Sequence, residues 1–188
     1  MNNRVFDLGV SIPLFLIALP VILVICVAVS IESRGAPIFR QTRLGKDEKL
    51  FSLYKIRTMK KGTGDHPTHT VGGEHITRIG RFLRKSKFDE LPQFWNVIIG
   101  DMRLVGPRPN LPNQQPLILI RRQYGVFRTR PGITGLAQVN NIDMSTHETL
   151  AIADKEYIER QNIWLDIQIL LSTFARTKAP RLNHSIFQ

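Results

Sequence analysis

Residues 86–109 read SKFDELPQFWNVIIGDMRLVGPRP, and this stretch governs how the rest of the chain is interpreted. Asp89 and Glu90 form an adjacent acid pair before Pro92, and the apolar run that follows ends at Gly100. Proline is favoured in the first turn of a helix, and glycine commonly follows the last turn. The spacing therefore predicts a short helix with two carboxylates at its N-terminus, where the helix dipole stabilises negative charge.

The acid pair has two interpretations. Acidic side chains at such a position often cap the helix by accepting backbone hydrogen bonds, and the stretch taken alone favours this structural role. The alternative is chemical, because the neighbouring sequence is rich in arginine and lysine. An ionised carboxylate in a basic setting can act as a nucleophile towards a phosphate.

The composition limits the classes of function. The 188 residues suit about one domain with an appended segment, and they carry a formal net charge of +11 at pH 7. A strongly basic chain requires an anionic partner such as nucleic acid, acidic lipid or a phosphorylated small molecule. The single cysteine, Cys26, excludes an internal disulfide and a cysteine-rich zinc site, and it suits a reducing compartment.

The segment Leu8–Ile31 contains no charged residue and predicts insertion into a membrane. As one straight helix it would extend about 36 Å, which exceeds a hydrocarbon core of about 30 Å. Pro20 lies near its middle and removes a backbone donor where lipid offers no replacement. Both flanks are basic, and the positive-inside rule prefers such ends on the cytoplasmic face. Two geometries remain open here: a kinked span, and a re-entrant helix–break–helix that enters and leaves by one face.

Two short strands and a basic helix are predicted between the membrane segment and the acid pair. Apolar–polar alternation around a glycine turn predicts a hairpin over Gly35–Phe51, and the alternation continues through Phe51–Met59. Lys55 and Arg57 share one face of this second strand, which alone also fits a solvated basic edge strand. Ile76–Lys87 has apolar residues at helical spacing among arginines, as in a helix that lies on acidic lipid or binds phosphate.

The segments after the acid pair predict loops and further helices. Closely spaced glycines and prolines in Gly100–Pro109 predict a rigid extended loop that presents Arg108. Arg128–Gly135 predicts a glycine-rich turn that offers backbone N–H groups to an anion, although each segment alone also fits an ordinary tight turn. Glu148–Thr177 predicts one or two helices. Four carboxylates are expected on their solvated face: Asp154, Glu156, Glu159 and Asp166.

Six motifs that follow one another in this order are far more specific together than any one of them alone. They are Pro37–Gln41 (PIFRQ), Phe51–Met59 (FSLYKIRTM), Thr77–Arg84 (TRIGRFLR), Asp89–Gln93 (DELPQ), Gly100–Pro109 (GDMRLVGPRP) and Arg130–Asn140 (RPGITGLAQVN). With them the chain resembles the bacterial sugar transferases, the small monotopic phosphoglycosyl transferases. The resemblance extends from the membrane segment to about residue 173.

The resemblance implies a reaction, a membrane geometry and a location. The family transfers a sugar 1-phosphate from a nucleoside diphosphate sugar to polyprenyl phosphate and releases the nucleoside monophosphate. This is the first membrane step of assembling a glycan such as O-antigen, capsule or glycoprotein glycan. The re-entrant helix of its members favours the re-entrant geometry here, with Pro20 as the break, although Leu19 replaces the familiar serine. The expected location is the bacterial inner membrane, with the active site on the cytoplasmic face.

The resemblance also assigns roles to individual residues. It implies that Asp89 is the nucleophile of a covalent aspartyl–phosphosugar intermediate, that Glu90 is its partner in a dyad, and that Mg²⁺ at Asp89 bridges the diphosphate. A diphosphate repels an incoming carboxylate, so a divalent cation and fixed basic groups must neutralise it. The loop that presents Arg108 would lie at the nucleotide end. The expected substrate-binding residues are Lys55, Arg57, Arg84, Pro107, Arg108, Pro109, Arg130, Gly132, Thr134 and Gln138.

These expectations define an architecture and a set of partners. We expect a mostly helical α+β fold with a small β-hairpin and membrane-surface amphipathic helices. Residues 1–34 form the re-entrant segment, residues 35–177 the catalytic domain, and residues 178–188 an irregular tail. The expected partners are a UDP-sugar, undecaprenyl phosphate and acidic phospholipid, and the expected sugar is an N-acetylated amino sugar. Residues 141–144 depart from the family pattern, in a region that bears on sugar choice.

A second hypothesis follows from the net charge alone. In this hypothesis the chain is a membrane-anchored nucleic-acid-binding or scaffold protein without catalysis. Nucleic-acid binding requires a steeply salt-dependent affinity and favours aromatic residues interleaved with basic ones. The aromatic residues here are few and are not interleaved in this way, so nucleic acid is not an expected partner.

Overall fold

A computed structural model describes residues 4–33, 35–60, 75–175 and 177–182 of the chain. Helices dominate these residues, and two small sheets complete them. This arrangement confirms a mostly helical α+β fold. The elements are α1 (Arg4–Ser33), β1 (Ile38–Leu44), β2 (Leu50–Ile56), α2 (Arg78–Ser86), α3 (Gln93–Ile99), β3 (Arg103–Val105), α4 (Gln115–Gln123), β4 (Gly132–Thr134), α5 (Leu136–Val139), α6 (His147–Arg160) and α7 (Ile163–Phe174).

Helix α1 is long, apolar and mostly exposed along its length. It is the one described helix that is long and apolar enough to cross a membrane. It runs without interruption through Pro13 and Pro20, so the two arms predicted on either side of Pro20 are not separate helices. The re-entrant geometry and the attachment to a membrane surface stay predictions.

Both ends of α1 contact the remainder of the protein through polar groups. Near the N-terminal end, Arg4 donates to the carbonyl oxygens of Val97 and Ile98 at the end of α3. At the other end, the carboxylate of Glu32 accepts hydrogen bonds from the first backbone N–H groups of α2, at 2.8 and 3.0 Å. A carboxylate at this point satisfies donors that a helix N-terminus leaves unpaired. Helix α1 is thus attached to the rest of the protein near both of its ends.

Strands β1 and β2 form the predicted antiparallel hairpin. Ile38 lies opposite Ile56, and Leu44 lies opposite Leu50. The connection contains a 3₁₀ turn in which Asp47 adopts a left-handed conformation with φ of 54°. This backbone conformation reverses the chain over a few residues and brings β2 back along β1. The hairpin predicted next to the membrane segment is therefore confirmed.

Strands β3 and β4 pair in parallel, although they lie far apart in the sequence. Arg103 lies opposite Gly132 and Val105 lies opposite Thr134, so the connection between the strands contains α4. A side chain at Gly132 would not fit, because a Cβ atom there would lie 2.1 Å from the backbone nitrogen of Gly106. The segment Arg128–Gly135, predicted as an anion-binding turn, contains the short buried strand β4 at Gly132–Thr134.

The main hydrophobic core lies where α3, β3, α6 and α7 meet. Its buried members include Val97, Leu104, Val105, Tyr157 and Ile169, and the apolar side of α1 packs against its edge. The region predicted as one or two helices contains two, α6 and α7. These helices fix the position of β3 and hence of the loop that follows it.

Each of the three predicted segments, 1–34, 35–177 and 178–188, falls partly outside the described residues. Of the irregular tail, residues 178–182 have no helix or strand, and the prediction for 183–188 lies beyond the described part. The beginning of this tail contacts the folded domain, because Leu182 packs against the core and the carbonyl oxygen of Pro180 accepts a hydrogen bond from Asn140. Residues 61–74 of the expected catalytic domain also lie outside the described ranges.

Candidate active site

The acid pair lies on a 3₁₀ turn, Phe88–Glu90, between α2 and α3. Lys87 before it adopts a left-handed conformation with φ of 60°, which ends α2 and redirects the chain. Pro92 occupies the N-cap position of α3, and no side chain caps that helix. Neither carboxylate therefore acts as the helix cap that the sequence alone favoured.

The carboxylate of Glu90 is shared by two cations from different elements. Its Oε1 atom lies 3.0 Å from Nζ of Lys55 on β2 and 2.8 Å from Nη2 of Arg108, which follows β3. Burial alone would raise the pKa of Glu90, but the charges and hydrogen bonds of Arg108 and Lys55 outweigh burial and hold this pKa far below its ordinary value. Glu90 is therefore ionised at neutral pH and fixes both cations.

Asp89 differs from Glu90 in the direction of its pKa shift. It is 9% exposed, and burial raises the pKa of its carboxyl, although the charge of Lys55 opposes that effect. Arg84 on α2 opposes it as well. In the part of the chain that the structure describes, no side chain donates a hydrogen bond to this carboxylate. Asp89 is thus the member of the pair whose oxygens remain available to a ligand.

The cations around Asp89 are partly withdrawn from water. Burial lowers the pKa of Lys55, and the negative charge of Glu90 opposes this shift. Burial likewise lowers the pKa of Arg84, whose Nε donates to Oγ1 of Thr58 at 2.9 Å. Positive charges with little surrounding water interact more strongly with an anionic ligand than they would on an open surface.

A cleft of about 970 Å³ contains the acid pair. Its volume is at the upper end of the range for small-molecule sites, roughly 300–1,000 Å³, and is large enough for a nucleotide sugar. It is bordered by the hairpin, by α2, by the loop after β3 and by residues 141–145. Seven of the residues predicted from the sequence line it: Lys55, Arg57, Arg84, Asp89, Glu90, Arg108 and Gln138.

The other predicted substrate-binding residues do not line the cleft. Pro107 and Pro109 are buried beside Arg108, and the carbonyl oxygen of Pro107 accepts a hydrogen bond from the N–H of Gly132 at 2.9 Å. The hydroxyl of Thr134 lies 2.7 Å from that of Thr173 on α7. Arg130 is half-buried outside the cleft. Contact between these residues and a substrate stays a prediction.

Sequence reasoning missed the buried pair that holds this loop. Arg121 on α4 is 1% exposed, and its Nη1 donates to the carbonyl oxygen of Arg108 at 2.8 Å and to Oδ1 of Asn110 at 3.0 Å. Its Nη2 lies 2.7 Å from Oδ2 of Asp154 on α6. The prediction that the acidic residues of these helices face solvent is wrong for three of them. Asp154, Glu156 and Asp166 are each at most 3% exposed and pair with Arg121, Arg160 and Arg103.

A second buried network attaches α1 beneath the same loop. The guanidinium of Arg103 on β3 lies 3.0 Å from Asp7 of α1 and 3.0 Å from Asp166 of α7. The hydroxyl of Tyr157 lies 2.8 Å from the other oxygen of Asp166. Arg103 comes five residues before Arg108. The residue that attaches α1 and the cation that pairs with Glu90 therefore lie on the same short segment.

The residues present fit one magnesium ion only if a ligand completes its coordination. Within the described ranges no three potential ligands of the histidine, cysteine or carboxylate type come together. Glu90 is engaged by two cations, which leaves the carboxylate of Asp89 as the candidate ligand within the acid pair. Mg²⁺ commonly binds through one or two carboxylates together with substrate phosphates and water. A diphosphate in the cleft would supply the missing oxygens.

The site and the fold together indicate a class of protein. A free carboxylate among buried cations, in a cleft beside a long apolar helix, suits a protein that acts on a phosphorylated ligand. The chain belongs to the bacterial sugar transferase family, whose model matches residues 1–179. The family resemblance identified from the six motifs is thereby confirmed.

Named relatives come from several bacteria. A UDP-glucose:undecaprenyl-phosphate glucose-1-phosphate transferase of Klebsiella pneumoniae is 39% identical over 181 residues, covering 91% of this chain and 39% of the relative. One of the same name from Caulobacter vibrioides is 37% identical over 183 residues, covering 92% and 68%. A UDP-N-acetylgalactosamine-undecaprenyl-phosphate N-acetylgalactosaminephosphotransferase of Aeromonas hydrophila is 36% identical over 171 residues, covering 87% and 40%. The chain thus spans about two fifths of the Klebsiella and Aeromonas proteins.

Proposed function

We propose that the protein transfers a sugar 1-phosphate from a UDP-sugar to undecaprenyl phosphate and releases UMP. The observation that carries this proposal is the contrast within the acid pair. Glu90 is engaged by Lys55 and Arg108, whereas Asp89 presents an available carboxylate to the same cleft. The names of the relatives, which give UDP-sugar donors and undecaprenyl phosphate as acceptor, support this choice of substrates.

The first step is nucleophilic attack by Asp89 on the phosphorus that carries the sugar. A bond forms between a carboxylate oxygen and this phosphorus, and the bond from phosphorus to the bridging oxygen breaks. UMP leaves with the electron pair of that bond, and the phosphosugar remains on Asp89. Burial raises the pKa of Asp89, and a carboxylate with a higher pKa is a stronger nucleophile once it is ionised.

The second step regenerates the carboxylate. A phosphate oxygen of undecaprenyl phosphate attacks the same phosphorus, the bond to Asp89 breaks, and the sugar is left on an undecaprenyl diphosphate. Neither step requires a redox partner, because each exchanges one phosphorus–oxygen bond for another. Division into two steps allows the donor and the acceptor to react in turn at the same carboxylate.

The basic residues stabilise the charge that develops on the phosphate oxygens. Lys55 and Arg108 are held in place by Glu90, and Arg84 by Thr58, so little reorganisation is needed when the substrate binds. Glu90 therefore acts as a positioning residue for two cations. Bound at Asp89 and the diphosphate, Mg²⁺ would supply further neutralisation of the phosphate charge.

The proposed membrane arrangement is monotopic, with a re-entrant α1 that bends at Pro20. Its support is the attachment of both ends of α1, through Arg4 and Asp7 at one end and Glu32 at the other. Proline inside a helix removes a hydrogen bond and favours a kink. We place the cleft on the cytoplasmic side of the bacterial inner membrane, where nucleotide sugars are available, with basic helices such as α2 against acidic phospholipid.

The identity of the sugar follows from the names of the relatives more than from the cleft. Two of the three relatives above are named for glucose and one for N-acetylgalactosamine. Glucose is therefore the first donor to test, ahead of the N-acetylated amino sugar expected from the sequence. Residues 141–145 line the cleft and are the segment in which a determinant of sugar choice should be sought.

A panel of donors tests the proposed activity. The protein in nanodiscs is supplied with undecaprenyl phosphate, Mg²⁺ and one of UDP-glucose, UDP-galactose, UDP-N-acetylglucosamine or UDP-N-acetylgalactosamine, and UMP release is measured. We expect sustained release with at least one donor, and only in the presence of undecaprenyl phosphate. Absence of release with all four donors, from protein shown to be folded, would contradict the proposal.

A further inference from the structure

Arg57 lies at the junction between the membrane helix and the cleft. Its Nε atom donates to the carbonyl oxygen of Ala36 at 2.7 Å, shortly after α1 ends. Its guanidinium lies against Gly35, where an added Cβ atom would be 3.7 Å from the same nitrogen. The guanidinium also lies 5.7 Å from the centre of the Phe39 ring. These contacts fix the positive charge beside the first residues that follow α1.

This junction is also where apolar surface gives way to polar chain. Ile31 in the last turns of α1 is 76% exposed. No other part of the described protein covers this apolar side chain, as expected where a helix contacts lipid. Ile56, next to Arg57, packs against Val29 of α1 and also lines the cleft. The wall of the cleft is therefore continuous with the membrane helix at this end.

Arg57 differs from the other cations of the cleft in its partners. Lys55 and Arg108 bind Glu90, and Arg84 faces Asp89. Within the described ranges, Arg57 has no carboxylate partner within 4 Å, and only its Nε atom donates a hydrogen bond. Its two terminal nitrogens can therefore donate to a ligand, and its charge is not neutralised by the acid pair.

We infer that Arg57 binds the phosphate of the polyprenyl phosphate acceptor, while Lys55, Arg84 and Arg108 receive the donor diphosphate. This assignment rests on the proposed function and divides its cleft into two phosphate sites. The chain of the acceptor stays in hydrocarbon and its charged phosphate must stay at the boundary, which is where α1 ends. A guanidinium suits a phosphate monoester because it can donate two parallel hydrogen bonds.

Steady-state and single-turnover measurements test the division. Arg57→Ala should raise KM for undecaprenyl phosphate about tenfold or more, the effect of losing a charge-assisted hydrogen bond. The burst of UMP released from the UDP-sugar without acceptor should keep its amplitude and rate. For Arg57→Lys, the KM for undecaprenyl phosphate should lie between the values of the unchanged protein and of Arg57→Ala, because lysine keeps the charge and loses the bidentate geometry.

Arg40 provides a matched control on the same hairpin. It lies 5.5 Å from the centre of the Tyr54 ring, is exposed and does not line the cleft. Arg40→Ala should leave both KM values and the burst unchanged. An unchanged KM for undecaprenyl phosphate in Arg57→Ala, or a burst lost together with a raised KM for the UDP-sugar, would overturn the assignment.

A binding measurement separates this assignment from the transferase activity. Binding of undecaprenyl phosphate to the protein in neutral-lipid nanodiscs is compared with binding of undecaprenol, and phosphatidylglycerol is added as a competitor. We expect Arg57→Ala to lose about tenfold in affinity for undecaprenyl phosphate only, and phosphatidylglycerol not to compete. Equal competition by phosphatidylglycerol would make Arg57 a general lipid headgroup contact and overturn the assignment. Binding that depends on Arg57 without UMP release from any donor would refute the transferase proposal and leave the phosphate site standing.

Discussion

Arg121 donates a hydrogen bond to the backbone carbonyl of Arg108 at 2.8 Å, and the side chain of Arg108 donates to Glu90 at the same distance. Arg121 is itself paired with Asp154 at 2.7 Å in the protein interior. The position of a cation at the acid pair is thus determined by a buried ion pair on two other helices.

This relationship predicts that stability and activity can be separated at Arg121. Arg121→Met leaves Asp154 as an uncompensated buried charge and should lower the free energy of unfolding by about 3–5 kcal/mol. The double variant Arg121→Met/Asp154→Leu buries no charge and should regain most of that stability. Its UMP release should stay low, because the carbonyl of Arg108 has lost its anchor. Denaturant unfolding in detergent and UMP release measure the two quantities.

The neighbouring residue on α4 supplies the control for this experiment. Arg122 makes an exposed ion pair with Glu48 and does not contact the loop that carries Arg108. Arg122→Ala should leave both stability and UMP release close to those of the unchanged protein. Full activity of the double variant would show that Arg108 does not depend on Arg121.

The attachment of α1 through Asp7 predicts a moderate loss of stability when that carboxylate is removed. Asp7→Ala leaves Arg103 with Asp166 as its remaining carboxylate partner and should cost about 1–3 kcal/mol. Thermal unfolding in nanodiscs measures the change. Glu159→Ala removes the exposed partner of Lys155 on α6 and should cost about 0.5 kcal/mol or less. A similar effect for the two variants would contradict a structural role for the Asp7–Arg103 pair.

The pH dependence of activity should report the ionisation of Asp89. Burial raises the pKa of Asp89, and the nucleophile must be ionised, so activity falls as the pH drops through this raised pKa. The charge of Arg84 opposes the shift, so Arg84→Met should raise the pKa of Asp89 further and move the acid limb of kcat/KM to higher pH. Arg84→Lys should restore part of the difference. An acid limb that stays in place or moves to lower pH in Arg84→Met would contradict this assignment.

The close packing of α2 on the end of β2 predicts sensitivity at Gly80. A Cβ atom at Gly80 would lie 2.1 Å from the carbonyl oxygen of Thr58, so Gly80→Ala must push α2 away from the hairpin. Because Arg84 donates to the hydroxyl of Thr58, this displacement should lower UMP release as well as stability, by about 1–3 kcal/mol. Gly9→Ala is the control, since nothing lies within 4 Å of its added atom. Equal behaviour of the two variants would exclude a positioning role for this contact.

Local signals in the sequence were sufficient for the elements around the acid pair. Alternation of apolar residues located the hairpin, and helical spacing among arginines located α2. Gly100, which adopts a φ of 95°, ended α3 where the sequence placed its end. Each of these features is determined by residues that are close together in the chain, so no knowledge of tertiary contacts was required.

Features that depend on distant partners could not be predicted in the same way. The turn expected near Gly132 is a strand because it pairs with β3, which lies far away in the sequence. Asp154 was expected in solvent, although it shares a helical face with Leu150 and Tyr157, which are buried. This spacing was a usable signal for burial. The partner that makes burial possible, Arg121, lies on another helix and is not indicated by any local pattern.

The residues that carry charge at the candidate site could be predicted, but the residues that hold them in place were predicted less well. The motifs indicated Lys55, Arg84 and Arg108 as basic neighbours of the acid pair, and all three line its cleft. The motifs did not distinguish residues that face the cleft from residues that hold its walls, such as Thr134. This distinction depends on how β3, β4 and α7 pack together, which is a property of the folded chain.

The covalent role of Asp89 is tested most directly by isolating the intermediate. The protein is incubated with a UDP-sugar and Mg²⁺ in the absence of acceptor, quenched, and measured by intact mass and peptide mapping. We predict the mass of one phosphosugar on the peptide that contains Asp89, its disappearance on adding undecaprenyl phosphate, and no adduct in Asp89→Asn. Turnover by the unchanged protein with no adduct at Asp89, or undiminished transfer by Asp89→Asn, would contradict the account.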